Sequence, residues 1–382
     1  MNPPVFDYLL VKAASRCNID CHYCYWFKDQ SVFDLPKQMS PVVAAKLLAR
    51  VREQIQNFNL TRFSILLHGG EPLLWGKSSF QDFAKSFELL GIETGAQTSL
   101  SVTTNGTLID QEWCDIFRAH SVSVTVSLDG PRILNDKNRV TFSGEGTYDR
   151  VVQSLRLLSE ANVKLGVLAV ADTTAPPDET VRHFADDLKL KHFDVLIPDA
   201  THEDNPPSIA DYYKRLFDLW LDEYAPRGIG IRLPRGIAVG VLGGDAKLES
   251  IGYGPIQTCA VMTDGTLEPL DVLRISGNGS TKTGLNIFDN DLQSVTNNGI
   301  WLEAYQASLN LPAKCKTCEY AKSCGGGYLP HRFSVAKRFD NPSVYCADLI
   351  KLFDHAWQRV ASVVSIRQTN GKCISLSTAV ET

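Results

Sequence analysis

Hydrophobic positions in the first half of the chain fall into six short runs that are rich in valine, isoleucine and leucine. These runs cover residues 6–13, 63–68, 100–104, 122–128, 163–170 and 193–197. Strands of a parallel sheet are apolar on both faces when helices cover both sides, so the runs predict buried parallel strands. The strands are expected to be separated along the chain by other elements.

Segments with apolar residues at helical spacing lie between and after these runs, at residues 41–58, 78–90, 110–119, 147–161, 178–188 and 209–224. Two of their starts are well marked: Ser40 precedes Pro41, and Asp110 follows the Asn105-Gly106 turn. Six strand–helix repeats predict an α/β fold, a barrel or partial barrel with its chemistry at the carboxyl ends of the strands.

The pattern changes after Arg227, where glycine and proline become frequent, periodicity fades and cysteines return from Cys259 onward. We therefore predict a barrel over residues 1–226, a loop-rich domain with a closing helix over 227–362, and a polar tail over 363–382. The closing helix is predicted over residues 347–362. A bound metal centre commonly orders a region with so little periodic structure.

The 382-residue chain has a formal net charge of −5, which gives no global electrostatic signal for nucleic acid or an anionic membrane as a partner. Neither a membrane-spanning run nor a secretory signal is visible, which predicts a cytoplasmic protein. Disulfides are rare in a reducing compartment, so ten cysteines need another explanation. Most of them fall in two clusters, which indicates metal or iron–sulfur ligation.

The first cluster consists of Cys17, Cys21 and Cys24, in the spacing C-x3-C-x2-C directly after the first predicted strand. Three thiolates cannot complete the ligation of a four-iron cluster, so one iron keeps a site open for an external molecule. The alternative is a zinc site, which usually takes four protein ligands. His22 lies between the cysteines and is badly placed to be the fourth.

With Tyr23 at the aromatic position, the segment resembles the C-x3-C-x-aromatic-C signature of the radical S-adenosylmethionine (SAM) superfamily. The resemblance implies a partial (β/α)6 TIM-like barrel and a [4Fe–4S] cluster on the three cysteines, with SAM bound to the fourth iron beside Tyr23. It also implies one-electron cleavage of SAM to methionine and a 5′-deoxyadenosyl radical. The protein then positions and shields these cofactors.

Further contacts with SAM are implied at the ends of two later strands. Gly69, Gly70 and Glu71 resemble the family's GGEP motif, which contacts the methionine amino group, although Gly-Gly and Pro also suit a plain turn. By resemblance to peptide maturases of the family, Ser127 and Arg139 also contact SAM. A guanidinium suits a carboxylate, but an ordinary surface salt bridge is the alternative for Arg139.

The second cluster consists of Cys315, Cys318, Cys324 and Cys346. Four thiolates suit a closed [4Fe–4S] cluster or a zinc site equally well by spacing alone. After the radical SAM segment, the pattern resembles the SPASM extension of peptide-modifying enzymes, which usually binds two auxiliary clusters. The resemblance therefore implies an auxiliary [4Fe–4S] cluster on these four residues.

The chain departs from the full SPASM pattern at two positions. Leu270 and Tyr328 stand where the family has cysteines, and Cys259 is the one nearby cysteine that remains. We infer that the auxiliary cluster nearer the active site is absent or altered. Asp271 follows Leu270, where sulfatase-maturating enzymes keep an aspartate that removes a substrate proton. We expect burial to raise its pKa toward the working range, and a solvent-facing turn is the alternative.

Three stretches, 268–274, 324–333 and 339–346, resemble the subgroup that matures ribosomal peptides by forming cyclophanes, in which an aromatic ring is bonded to a Cβ. That subgroup implies a ribosomal precursor peptide as substrate and a one-electron reductant such as flavodoxin or ferredoxin. His331 and Arg332 are expected at the substrate entrance, and Trp26 in the core. The early first strand leaves no room for a preceding leader-binding domain.

Two rival functions remain open from the sequence. One is another SPASM reaction, namely thioether formation or formylglycine maturation of a sulfatase. The other is a zinc-stabilised binding protein without catalysis, which the three-cysteine site with its open fourth position disfavours.

Overall fold

The structure is a computed structural model that describes residues 3–246 and 248–369. Its strands in chain order are β1 Tyr8–Ala14, β2 Asp20–Cys21, β3 Arg62–Gly69, β4 Gln97–Thr104, β5 Ser123–Ser127, β6 Arg139–Val140, β7 Leu165–Val170, β8 His192–Leu196, β9 Gly230–Ile231, β10 Ala260–Val261, β11 Thr266–Glu268 and β12 Leu285–Asn286. All six predicted strands are present, each within three residues of its predicted ends.

Ten of these strands form one sheet in the order β12-β11-β10-β1-β3-β4-β5-β7-β8-β9. The six predicted strands pair in parallel with their neighbours, and β9 and β10 extend the parallel part. Strands β12 and β9 form the two edges of the sheet, so the described residues form a partial barrel. The predicted α/β fold class is confirmed.

Helices connect the strands as the spacing predicted. In chain order they are α1 Tyr25–Lys28, α2 Pro41–Phe58, α3 Lys77–Thr94, α4 Gln111–Ala119, α5 Arg132–Asn138, α6 Tyr148–Glu160, α7 Pro177–Arg182, α8 Ala210–Leu219, α9 Arg232–Val241, α10 Gly299–Leu309, α11 Ala313–Lys316, α12 Ala321–Cys324 and α13 Cys346–Thr369. The predicted caps form: Ser40 Oγ accepts from Val43 N at 3.3 Å, and Asp110 Oδ1 from Trp113 N at 3.0 Å.

The two faces of the sheet differ in exposure. Side chains of β3 alternate between fully buried residues such as Ile65 and partly exposed residues such as Leu66 and His68. We call the side that carries Lys12 and His68 the open face. The expectation that helices cover both faces is wrong for these strands, because a barrel turns one face of its sheet inward. Partly exposed polar side chains on the open face mark an accessible interior.

Residues after 227 extend the same sheet at both edges, through β9 on one side and β10 to β12 on the other. The proposed division at residues 226/227 stays a prediction.

Helix α13 runs from Cys346 to Thr369, beyond the predicted end at residue 362. Residues 370–382, including Cys373, lie outside the described part of the chain. Within that part, no helix is long and apolar enough to cross a membrane.

Candidate active site

The loop after β1 carries the three cysteines of the first cluster. Cys17 lies just past the strand, Cys21 in β2 and Cys24 directly before α1, and all three are partly exposed. Strand β2 pairs antiparallel with β6, which sets Cys21 opposite Arg139. The loop is therefore fixed at the carboxyl end of the barrel strands, as the sequence predicted.

Polar side chains from neighbouring loops point at these sulfur atoms. Asn105 Nδ2 lies 3.6 Å from Cys17 Sγ, and Arg139 Nη1 lies 3.9 Å from Cys21 Sγ. Burial raises the pKa of Cys17 to about 12 and that of Cys21 to about 11. The thiols therefore hold their protons at neutral pH, and ligation of iron would displace those protons.

Gly69 and Gly70 lie against the backbone of the cysteine loop. A Cβ on Gly69 would lie 2.1 Å from the Ala14 carbonyl oxygen, and one on Gly70 would lie 2.3 Å from the Arg16 carbonyl oxygen. No side chain fits at such distances, so both positions require glycine. The pair thus brings the end of β3 directly onto the loop that carries the cysteines.

Glu71 is fully buried and joins this turn to the end of β4. Its carboxylate accepts from Thr104 Oγ1 at 2.7 Å, Asn105 N at 2.8 Å and Leu73 N at 3.0 Å. Burial raises its pKa to about 7 despite these bonds. Glu71 therefore positions the loop that carries Asn105, whose amide lies beside Cys17.

Arg139 is almost fully buried and is not part of a surface salt bridge, so that alternative is excluded. Its Nε lies 3.1 Å from Asp129 Oδ1, and its guanidinium lies 5.5 Å from the ring centroid of Tyr23. Tyr23 in turn donates its hydroxyl to Asp129 Oδ2 at 2.6 Å. Ser127 lies half-buried at the end of β5, two residues before Asp129. No pattern in the sequence indicated a role for Asp129, which orients both Tyr23 and Arg139.

Asp271 lies on the open face within a network of buried polar groups. It forms a salt bridge with Lys12, and Tyr25 donates its hydroxyl to the same oxygen, Oδ2, at 2.5 Å. Lys12 Nζ also lies 3.2 Å from His68 Nδ1. The alternative of a solvent-facing turn is excluded, since Asp271 is only 3% exposed.

The expected direction of the Asp271 pKa is wrong. Burial alone would raise it, but the positive charge of Lys12 and the hydrogen bonds to Asp271 outweigh burial and lower the pKa to about 2. Asp271 is therefore an anion at neutral pH, whereas burial lowers the pKa of Lys12, the other member of the pair. The sequence contained one signal for this pairing, because Lys12 is the only basic residue within the first apolar run.

A second buried ion cluster attaches α1 to the segment after β11. Arg274 pairs with Glu268 and donates to Asp29 Oδ2 at 2.5 Å. Trp26 is buried, as expected, and lies between two cations, with Arg274 and Lys12 each 4.5 Å from its ring centroid. The cysteine loop and the segment that carries Asp271 are thereby held together.

The four C-terminal cysteines line a single cavity of about 230 Å³, together with apolar residues that include Leu349 and Phe353. A zinc ion would draw its sulfur ligands to within about 2.3 Å of one centre. Among the described residues, no three His, Cys, Asp or Glu side chains converge closely enough to hold one metal ion. Four thiolates around one cavity are the ligand number of a closed iron–sulfur cluster, so the residues present fit that cofactor.

The positions that depart from the SPASM pattern are apolar in character. Leu270 belongs to an apolar cluster with Phe333 and Phe339, and Tyr328 packs against it. Cys259 is fully buried beside β10. The inferred absence or alteration of an inner auxiliary cluster stays a prediction.

His331 and Arg332 do not lie at a surface entrance, which corrects the expectation, since each is only 1% exposed. The Arg332 guanidinium donates to the carbonyl oxygen of Phe339 at 2.8 Å and to that of Ala307 at 2.9 Å. Its function is to hold the backbone beside the second cysteine cluster.

Residues 11–190 match the model of a family described as the Radical SAM superfamily. Together with the mostly parallel sheet and the cysteine loop, the match identifies a radical SAM domain in this part of the chain. Proteins of this superfamily use a [4Fe–4S] cluster and SAM. Both fit the site: Cys17, Cys21 and Cys24 can hold the cluster, and partly exposed polar groups surround them.

The chain is similar to sulfatase-maturating enzymes, in one case over nearly its whole length. The cysteine-type anaerobic sulfatase-maturating enzyme of Clostridium perfringens (strain 13 / Type A) is 26% identical over 383 residues, 95% of this chain and 99% of its own. The serine-type enzyme of Bacteroides thetaiotaomicron is 31% identical over 169 residues, 43% of this chain and 39% of its own. The chain is also similar to a solved structure, native anSMEcpe with bound AdoMet and Cp18Cys peptide. The TM-score is 0.81 at 23% sequence identity, and the match covers 94% of this chain and 98% of that chain. This similarity establishes the fold.

Proposed function

We propose that this protein is a radical SAM enzyme that modifies a peptide by removing two hydrogen atoms from its side chains. One observation carries the proposal: the cysteine loop and the Lys12–Asp271 pair meet at the open face of the barrel, where Tyr25 from the helix after Cys24 contacts both charged groups. Full-length similarity to enzymes that mature sulfatases supports a peptide as the substrate.

The cofactors divide the chemistry between the two cysteine sites. When bound, SAM and the cluster on the first three cysteines supply a radical that takes a hydrogen atom, and the cluster on the last four supplies a one-electron acceptor. We assign Tyr23, Gly69, Gly70, Glu71, Ser127 and Arg139 to the SAM site. The guanidinium of Arg139 is aligned there by Asp129, which suits it to bind a carboxylate.

For the product we propose an aryl-to-Cβ crosslink in a ribosomal precursor peptide. A Cβ of the peptide loses a hydrogen atom, and the resulting carbon radical bonds to a ring carbon of an aromatic side chain. Loss of one electron and one proton then restores aromaticity. The three stretches that resemble the cyclophane-forming subgroup support this assignment, because they pack together: Leu270, Phe333 and Phe339 share one apolar cluster.

A second candidate product is formylglycine, formed by oxidation of a cysteine or serine. The similarity of the Clostridium perfringens enzyme over 95% of this chain favours it. The two products differ chemically, because formylglycine carries an aldehyde and the crosslink does not.

The experiment incubates the anaerobically reconstituted enzyme with SAM, a flavodoxin or ferredoxin reductant and one of two peptides. One peptide is Cp18Cys, and the other is a ribosomal precursor peptide with aromatic residues near its C-terminus, sought as a short open reading frame beside the gene. Tandem mass spectrometry identifies a crosslink by the loss of two hydrogen atoms and by missing fragments between the joined residues. Hydroxylamine labels formylglycine only. If SAM is cleaved and neither peptide changes, the proposal is wrong.

A further inference from the structure

Arg332 carries a buried positive charge that has no carboxylate partner. The residue is only 1% exposed, and its guanidinium donates to the carbonyl oxygens of Phe339 at 2.8 Å, Ala307 at 2.9 Å and Asn341 at 3.0 Å. Across residues 3–246 and 248–369, no aspartate or glutamate forms a salt bridge with it. Carbonyl groups solvate a cation but carry no net charge, so these contacts leave the charge of Arg332 without a counter-charge.

The other buried arginines of the described chain are paired differently. Arg139 Nε lies 3.1 Å from Asp129 Oδ1, and Arg274 Nη1 lies 2.5 Å from Asp29 Oδ2. A buried cation without an anion is costly, which is why such pairs are the usual arrangement. Arg332 is therefore the buried arginine whose counter-charge has to come from something other than a carboxylate.

Arg332 packs against the loop that lines the cavity of the four C-terminal cysteines. Gly326 is part of the cavity wall and follows Cys324 by two positions. A Cβ on Gly326 would lie 3.7 Å from both Cδ and Nη1 of Arg332, so the guanidinium lies directly behind this wall. Burial lowers the pKa of Arg332 most, and negative charge on Cys315 counteracts this effect more than that on Asp340. The counter-charge of Arg332 thus belongs to the cysteine site.

We propose that the buried charge of Arg332 raises the reduction potential of the iron–sulfur cluster that the four C-terminal cysteines hold. This role rests on the proposed function, which assigns that cluster as the electron acceptor. A four-iron cluster with four thiolate ligands has a net negative charge that grows by one when it takes up an electron. A fixed cation nearby stabilises the more negative state and therefore favours reduction.

The effect suits the task that the proposed function gives to the second site. When the aromatic ring of the peptide regains its aromaticity, one electron leaves the ring and reduces the cluster by one electron. A higher reduction potential makes this transfer more favourable. Arg332 acts through the cluster and not on the peptide, so it is a positioning residue and not a catalytic one.

The experiment is an anaerobic redox titration followed by electron paramagnetic resonance, on the reconstituted full-length chain without peptide. The variant Cys21→Ala/Cys24→Ala removes the first cluster, so that the signal of the reduced protein comes from the second cluster alone. Three further changes are compared in this background. Arg332→Gln loses the buried charge, Arg332→Lys keeps it, and Arg338→Gln loses an exposed charge that pairs with Glu303 at 2.8 Å.

At a fixed applied potential, Arg332→Gln should lower the ratio of reduced to oxidised cluster about tenfold, which corresponds to about 59 mV for one electron. A unit charge about 10 Å away at an effective dielectric constant of about 20 has an effect of this size. Arg332→Lys should stay within about twofold of the background, because it keeps the charge although it loses the planar donor fork. Arg338→Gln should match the background, because solvent screens an exposed charge.

An unchanged ratio in Arg332→Gln overturns the inference. Equal shifts in Arg332→Gln and Arg332→Lys also overturn it, because they indicate an effect of the lost carbonyl contacts and not of the charge. If Arg332→Gln keeps fewer than about four irons per chain, the iron content decides. Retention in Arg332→Lys alone then supports the role of the charge, and loss in both variants contradicts it.

Fewer than about four irons in the background protein itself would likewise overturn the inference, because no cluster would then be held by the four cysteines. A failure of the proposed function gives a different result. Wild type then releases 5′-deoxyadenosine and modifies neither peptide, whatever the reduction potentials of the Arg332 variants.

Discussion

The two cysteine sites of this protein have opposite surroundings. At the first site, Asn105 Nδ2 lies 3.6 Å from Cys17 Sγ and Arg139 Nη1 lies 3.9 Å from Cys21 Sγ. The three cysteines of this site are partly exposed. The second site is a cavity of about 230 Å³ that four cysteines share with apolar residues such as Phe353. The first site thus places hydrogen-bond donors within 4 Å of two cysteine sulfur atoms, whereas the surface of the second cavity is mainly apolar.

The contrast teaches how one chain can hold two similar cofactors for different tasks. An accessible cluster with three protein ligands can bind a further ligand, and polar neighbours orient that ligand. A cluster with four protein ligands in an apolar cavity is closed to ligands, and its surroundings tune its reduction potential instead.

Loss of a cysteine should have different consequences at the two sites. Cys17→Ala should abolish both SAM cleavage and peptide modification, whereas Cys318→Ala should keep SAM cleavage and lose only the modification. In each variant, iron per chain should fall from about eight to about four. Iron analysis and chromatography of both products check this. If Cys318→Ala also abolishes SAM cleavage, the two sites do not have separate tasks.

The first site should depend on its buried ion pair. Lys12→Met leaves Asp271 buried without its cation, which should lower the free energy of unfolding by about 3–5 kcal/mol. Lys77→Met is the control, since it removes a lysine that pairs with Asp110 at the surface and should cost at most about 1 kcal/mol. Denaturant titration measures both, and equal losses would contradict the account.

Glu71 should make the stability of the protein depend on pH near neutrality when SAM is absent. Burial raises its folded pKa to about 7 from an ordinary value of 4.5, so the folded state binds the proton more tightly than the unfolded state. This contribution is fully present below the unfolded pKa and is lost as the pH rises through about 7. It amounts to roughly 3 kcal/mol.

Glu71→Gln cannot titrate, so its free energy of unfolding should decrease less than that of wild type between about pH 4 and pH 8. Thermal or denaturant unfolding at several pH values measures the difference. Parallel curves for the two proteins would show that Glu71 does not titrate in this range.

Arg139 should affect SAM affinity more than stability. Arg139→Gln removes the charge that lies between Asp129 and Cys21, and we expect the dissociation constant for SAM to rise about tenfold. Arg132→Gln, which breaks an exposed pair with Asp149, is the matched control and should leave the affinity unchanged. Equal affinities for both variants would remove Arg139 from the SAM site.

Local patterns in the sequence were sufficient to predict the barrel. Each of the six predicted strands coincides with a short run rich in apolar and β-branched residues, and helix starts such as Ser40-Pro41 carry their own capping signal. The cysteine loop was predictable as well, because its ligands lie within eight residues of one another. Features of this kind depend on neighbours along the chain.

Contacts between distant segments were not predictable in the same way. Asp271 forms an ion pair with Lys12, which lies 259 positions away in the sequence. That ion pair helps to lower the pKa of Asp271, whereas burial alone would raise it. His331 and Arg332 were expected at an entrance, but both are buried, and Arg332 binds backbone carbonyl groups that only folding brings close.

Release of 5′-deoxyadenosine is the most direct test of the central claim, that three cysteines at the end of β1 hold a cluster that SAM can reach. Anaerobically reconstituted wild-type protein should produce 5′-deoxyadenosine from SAM once a one-electron reductant is added. The double variant Cys21→Ala/Cys24→Ala should produce none. If the reconstituted and reduced wild-type protein releases no 5′-deoxyadenosine, the account of this site is wrong.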